Sequence, residues 1–141
     1  MTQKTISLSA KIALYEPDIP QNTAAIIRTC SCLGAIVEII EPCGFIFNDK
    51  RFKRVVMDYL DEQMIKFYKN YKEFFEFKKK NKERVILMTT KATNSYTSFN
   101  FKSNDTILFG RESAGVPEKI HKLVNSRLKI PLSFKKRSLN L

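Results

Sequence analysis

The sequence predicts an α/β domain with a mostly parallel sheet and helices on both faces. Three observations carry that prediction. Residues 10–40 read strand, helix, strand, an order that implies parallel strands joined by a crossover helix. Apolar strand-like runs then keep alternating with helical patterns through the rest of the chain. The 141 residues suit one domain, 1–141, long enough to bury a core without disulfide or metal staples, and no repeat or linker interrupts it.

The elements follow in order. Residues 10–16 (AKIALYE) form a buried strand that Pro17 and Pro20 end. Asn22 and Thr23 are placed to cap a helix, since their side chains accept from free backbone N–H groups. Ile26, Ile27, Cys30 and Leu33 give that helix its apolar stripe, and Gly34 stops it. Residues 35–40 (AIVEII) are the second strand, and 42–44 turn the chain. Residues 49–60 read as a short basic helix and 70–82 as a second helix ending in lysines. Residues 84–89 are the third strand, 96–104 a polar loop and 105–109 the fourth strand. A short helix over 117–123 begins at proline, and 128–132 form the fifth strand.

Composition narrows the class. At 43% hydrophobic residues the chain is too apolar for a disordered one. No apolar run approaches the roughly 20 residues of a membrane helix, and residues 1–9 lack the apolar stretch of a signal peptide. A cytosolic protein is expected. Cys30, Cys32 and Cys43 are odd in number and lack zinc-site spacing, so they read as small buried hydrophobes. A net charge of +11 favours a polyanionic partner, although a lysine-rich surface composition explains it equally well. The Lys78–Lys80 run reads as solvated surface and His121 as an exposed polar residue.

Four segments fall where open α/β sheets bind ligands, at the carboxyl ends of strands: residues 16–28 (EPDIPQNTAAIIR), 88–91 (MTTK), 109–117 (FGRESAGVP) and 130–141 (IPLSFKKRSLNL). Gly110 and Gly115 suggest a tight backbone approach, and Glu112 between them is a turn carboxylate or a functional one. No GxGxxG, phosphate-binding lysine loop or Ser-His-Asp set is present, which argues against dinucleotide, nucleoside triphosphate and serine-hydrolase chemistry.

Together with IIEPCGF (39–45), DKRFKR (49–54) and MDY (57–59), these segments resemble, in order and spacing, the SpoU branch of the SPOUT methyltransferases. Within that branch the likeness is strongest to the short tRNA (cytidine/uridine-2′-O-)-methyltransferases of the wobble nucleotide, and it covers nearly the whole chain from Lys11 onward. The resemblance implies a trefoil-knot fold, S-adenosylmethionine as cofactor, tRNA as substrate and a homodimer. Its catalytic positions match Arg28, Glu112, Ser138 and Asn140. Its cofactor positions match Met88, Gly110, Ile130, Leu132 and Ser138. RNA contacts are expected from Asn22, Arg28, Lys50 and Arg51, with Lys53 and Arg54 extending the basic helix. No metal is implied.

A ribose 2′-OH is a poor nucleophile, so a base or a field that favours the alkoxide is needed. The family mechanism gives Arg28 the proton. Its reference pKa above about 12 favours instead a fixed charge that stabilises developing alkoxide and orients a phosphate. Three departures stand out. Ala24 replaces the usual glycine, and Arg111 replaces the usual proline, adding a charge beside the cofactor loop. The chain also stops at Leu141, where family members continue into a C-terminal helix. The expectation is a truncated domain with an incomplete knot. Two readings follow: an active enzyme, or a non-catalytic RNA-binding remnant of the same fold.

Overall fold

The computed structural model describes residues 10–45, 65–92 and 94–129. Among them, six strands form one sheet: β1 (Lys11–Tyr15), β2 (Ile36–Ile40), β3 (Ile65–Tyr68), β4 (Val85–Met88), β5 (Thr106–Phe109) and β6 (Ser126–Leu128). Their order is β3-β2-β1-β5-β4-β6, and every neighbouring pair is parallel. The helices are α1 (Pro20–Leu33), α2 (Tyr71–Lys80) and α3 (Glu118–Leu123).

Strand alternation puts helices on both faces. Leu14, Val37 and Ile39 point one way and pack with Ala24, Ile27 and Cys30 of α1. Ala13, Ile40, Leu87 and Leu108 point the other way and pack with Phe74 of α2 and Ile120 of α3. Phe74, Ile39 and Ile40 are fully buried, each such side chain contributing on the order of 1.5–3 kcal/mol. The expected fold class holds.

Several local expectations need correction. Helix α1 starts at Pro20 with Ile19 as an uncapped N-cap. Thr23 donates its hydroxyl to the Ile19 carbonyl at 3.2 Å instead of accepting, so neither Asn22 nor Thr23 is the cap. Proline at the first helical position loses no hydrogen bond, which makes a side-chain cap less necessary. The buried stripe of α1 is Thr23, Ala24, Ile27 and Cys30, while Leu33 is 76% exposed. Gly34 does end the helix, in the left-handed region.

Strand β3 was not anticipated. It is a four-residue edge strand with exposed Lys66 and Phe67, too short and too irregular to signal itself. The last strand begins at Ser126, two residues before the expected Leu128, and Lys129 makes only an isolated bridge to Ser95. Residues 96–98 form a 3₁₀ turn inside the expected loop. Cys30 is buried, but Cys32 is exposed and Cys43 half-buried, so the three do not behave alike.

Two polar residues expected on the surface are interior. His121 is buried, with Nε2 at 3.4 Å from the Thr89 hydroxyl and Nδ1 at 3.4 Å from the Pro117 carbonyl oxygen. Lys78 is buried against the sheet: its ammonium pairs with Glu38 of β2 at 2.8 Å and with Glu83 at 2.8 Å. The helical period explains it, because Lys78 lies one turn after Phe74 on the face of α2 that meets the sheet. The basic helix over 49–60 lies outside the described residues.

Candidate functional site at the strand carboxyl ends

The strand order reverses between β1 and β5, and such a switch point opens a crevice at the carboxyl ends of the strands. Leu14 is in register with Phe109, so the loop after β1 meets the loop after β5 there. Met88 is in register with Phe109 on one side and Leu128 on the other. The ends of β5, β4 and β6 are therefore adjacent, and Thr89 N–H donates to the Leu128 carbonyl at 2.8 Å. Met88 and Gly110, two of the expected cofactor positions, leave from neighbouring strand ends.

The loop after β5 turns back on itself. Arg111 N–H donates to the Gly115 carbonyl at 3.0 Å, and Gly115 N–H returns to the Arg111 carbonyl at 2.8 Å. Gly115 has φ +67°, a region L side chains rarely adopt. A Cβ on Gly110 would stand 2.5 Å from the Gly115 carbonyl carbon, so only glycine fits. The tight approach expected from FGRESAGVP is present, and the two glycines approach each other.

Glu112 at the tip of this loop reaches across the switch point. Its Oε1 accepts from Asp18 N–H at 3.1 Å. Ser113 donates its hydroxyl to Asp18 Oδ2. The Arg111 guanidinium lies 3.6 Å from Asp18 and 4.0 Å from Glu16. The charge that Arg111 adds beside this loop is thus engaged by two carboxylates of the first loop. Burial, followed by hydrogen bonding to Asp18, raises the Glu112 carboxyl above the usual range. Hydrogen bonds from Glu112 and then Ser113 hold Asp18 below it. Burial, with Glu41 and Glu16 nearby, pushes the Cys43 thiol up to about 11 and keeps it a neutral neighbour.

Asn22 and Arg28 are the third and ninth residues of α1, both half-exposed, roughly 9 Å apart along the axis at about 1.5 Å per residue. The Arg28 side chain makes no hydrogen bond or ion pair among the described residues. The structure therefore sets Met88 and Gly110 at neighbouring strand ends, turns Glu112 toward Asp18, and leaves Arg28 on the helix. Ile130, Leu132, Ser138, Asn140, Lys50 and Arg51 lie outside the described residues. Sequence reasoning missed Asp18 and Ser113. The available signal was an acidic Glu16-Pro17-Asp18 loop facing a motif that carries Arg111. A separate polar cleft of about 680 Å³ runs beside β6, with Lys91, Lys122, Arg127 and Phe99 in its walls; Met88 and Gly110 do not line it.

Comparison with known proteins fits this architecture. Residues 9–141 match the SpoU rRNA Methylase family, and the chain belongs to that family. Membership makes it an enzyme of the methyltransferase class. More particularly, it is 45% identical over 130 residues to the tRNA (cytidine(34)-2′-O)-methyltransferase of Beijerinckia indica, covering 92% of this chain and 81% of that protein. A solved structure described as giving insight into 2-OH methylation of C/U34 on tRNA superposes with a TM-score of 0.85 at 32% identity, over 93% of this chain and 85% of the other. An AdoMet-bound rRNA methyltransferase from Sinorhizobium meliloti shares the fold, with a TM-score of 0.83 at 22% identity, over 99% of this chain and 56% of the other.

Proposed function

We propose that this protein transfers a methyl group from S-adenosylmethionine to the ribose 2′-OH of the wobble nucleotide of tRNA. The observation that carries the reading is the adjacency of the Met88 and Gly110 strand ends, beside the switch point that Glu112 bridges, in a chain 45% identical to a protein named for that reaction. The described residues suit the cofactor: an elongated ligand held through backbone groups fits strand ends roughly 5 Å apart. Met88 and Gly110 would hold it, with Ile130, Leu132 and Ser138 completing the pocket. When bound, its sulfonium supplies the methyl group.

The chain's own groups do the rest. Asn22 and Arg28 bind the RNA, and the Arg28 guanidinium, planar and permanently charged, lowers the cost of charge developing on the 2′ oxygen. Glu112, Ser138 and Asn140 complete the catalytic set. Lys50 and Arg51 supply phosphate contacts that position RNA without reading it, and the basic walls of the cleft beside β6 suit the same role. Electrostatic binding of this kind weakens steeply with salt. We place the reaction in the cytosol and expect a homodimer, which sedimentation tests directly. No helix among the described residues is long and apolar enough to cross a membrane.

Single-turnover methyl transfer and S-adenosylhomocysteine titration on one preparation test the division of labour. Arg28→Ala is expected to slow transfer about 10²-fold or more, the usual scale for such groups, with cofactor affinity little changed. Arg28→Lys, which keeps the charge and loses the fork, restores only part of the rate. An unaffected rate, or lost cofactor binding, contradicts the assignment. Tight RNA binding with no transfer by the wild-type protein favours the non-catalytic RNA-binding reading.

A further inference from the structure

We infer that Asp18 and Glu112 form a carboxylate–carboxylic acid pair with the proton on Glu112, and that Asp18 is thereby a positioning residue for the loop that carries Glu112. The inference goes beyond the proposed activity and rests on it only for its consequence in turnover.

The geometry leads there in steps. The Glu112 carboxyl reaches across the switch point to Asp18, its Oε1 standing 3.1 Å from the Asp18 backbone nitrogen. Two carboxylates brought this close repel, and a proton held by one of them relieves the repulsion. Asp18 is the better-stabilised anion. It accepts from Ser113, faces the Arg111 guanidinium and sits just before the N-terminus of α1, whose free N–H groups favour negative charge. Glu112 accepts one backbone N–H, that of Asp18 itself. Asp18 Oδ1 is buried without a donor, and a proton on Glu112 supplies one. The surrounding field agrees. Glu16 and Glu41 are further acids near this cluster, Tyr15 and Cys43 are held neutral, and Arg111 is the cation, shared between Glu16 and Asp18.

The pair also has backing. Gly44 N–H donates to the Pro17 carbonyl at 2.8 Å, and a Cβ there would stand 2.6 Å from Asp18 Cβ, so the turn after β2 walls in Asp18 from behind. The loops after β1, β2 and β5 thus meet at Asp18, and the shared proton adds to the contacts that hold the first to the third. Losing it sets two anions against each other and loosens the loop that carries Glu112.

Carbon-13 NMR of protein labelled at the Asp and Glu carboxyls, titrated without RNA or cofactor, tests the pair. One glutamate is expected to titrate above the rest, to vanish in Glu112→Gln and to move down toward the ordinary value in Asp18→Asn. Ser113→Ala, which keeps both acids, should raise the Asp18 titration by removing its donor. Folded Asp18→Asn should slow single-turnover transfer on the order of 10- to 100-fold, the scale of a misplaced catalytic loop. The pair is overturned if Glu112 titrates with the other glutamates or if an aspartate carries the high titration instead. It is equally overturned if Asp18→Asn leaves Glu112 unmoved. Should Asp18→Asn fail to fold, the wild-type, Glu112→Gln and Ser113→Ala titrations still decide. A wild-type chain that transfers no methyl group counts against the proposed activity and leaves the titration result standing.

Discussion

Charged residues gather at both ends of the sheet, and they do different work. At the amino ends, Lys78 reaches Glu38 and Glu83, and Glu83 also meets Lys11 at 3.2 Å. Lys11 in turn donates to Asn104 at 2.8 Å, and the Tyr68 hydroxyl lies 3.4 Å from Glu38. Nearly every charge there is matched, and the network ties α2 and three strands into a fixed unit. At the carboxyl ends, two acids engage one arginine, Asp18 and Glu112 share a proton, and the groups ride on loops. A matched, buried network fixes the scaffold. An unmatched one on loops responds to pH and to ligands, which is what a site requires.

The largest effect should come from breaking the matched network. Lys78→Met leaves Glu38 buried without its cation and is expected to cost about 3–5 kcal/mol, read from urea unfolding. The double variant Lys78→Met/Glu38→Leu should recover most of that, because well-packed apolar groups replace a buried pair at little cost. A double variant as unstable as the single one would mean that the network does more than pair charges.

At the other end, Gly110→Ala forces its Cβ into the Gly115 backbone. A cost of roughly 1–3 kcal/mol is expected, as for other overpacked sites, together with weaker S-adenosylhomocysteine binding by calorimetry. Unchanged affinity would separate this loop from the cofactor site.

The two ends should also differ in pH response. Burial alone would raise Glu83, yet Lys78 and Lys11 hold it low; burial would raise Asp105, yet Arg84 holds it low. A carboxyl depressed on folding contributes stability above its unfolded pKa and loses it as pH falls through the folded value. Glu112 is raised, so its contribution is complete at low pH and disappears as pH rises through its folded value. Thermal melts across pH should show acid loss in the wild type, and Glu112→Gln should remove only the component lost on the higher-pH side. The smallest effect belongs to neither end: Leu33→Lys, at a 76% exposed position, should change stability by no more than about 0.5 kcal/mol.

The parts legible in sequence were those with local signatures. AKIALYE and AIVEII are predominantly apolar runs, and proline and glycine mark their limits, so β1, α1 and β2 could be read directly. The paired glycines of FGRESAGVP announced a close turn. What escaped depended on distant partners. A lysine in a KKK run looks solvated until the helical period places it over Glu38, a lone carboxylate in a mostly buried strand that needed a cation from elsewhere. The four residues of β3 carry too little pattern, and its pairing with β2 is set by tertiary structure. Asp18 acquires its meaning only when β1 and β5 become neighbours, a fact of topology that no local spacing encodes.

The purified protein, given unmodified tRNA and isotopically labelled S-adenosylmethionine, should leave its label where nuclease digestion and mass spectrometry can map it. A single 2′-O-methyl group is expected on the wobble ribose, at nucleotide 34, strongly reduced by Arg28→Ala. Label on a base, or on a ribose elsewhere in the tRNA, would contradict the proposed activity.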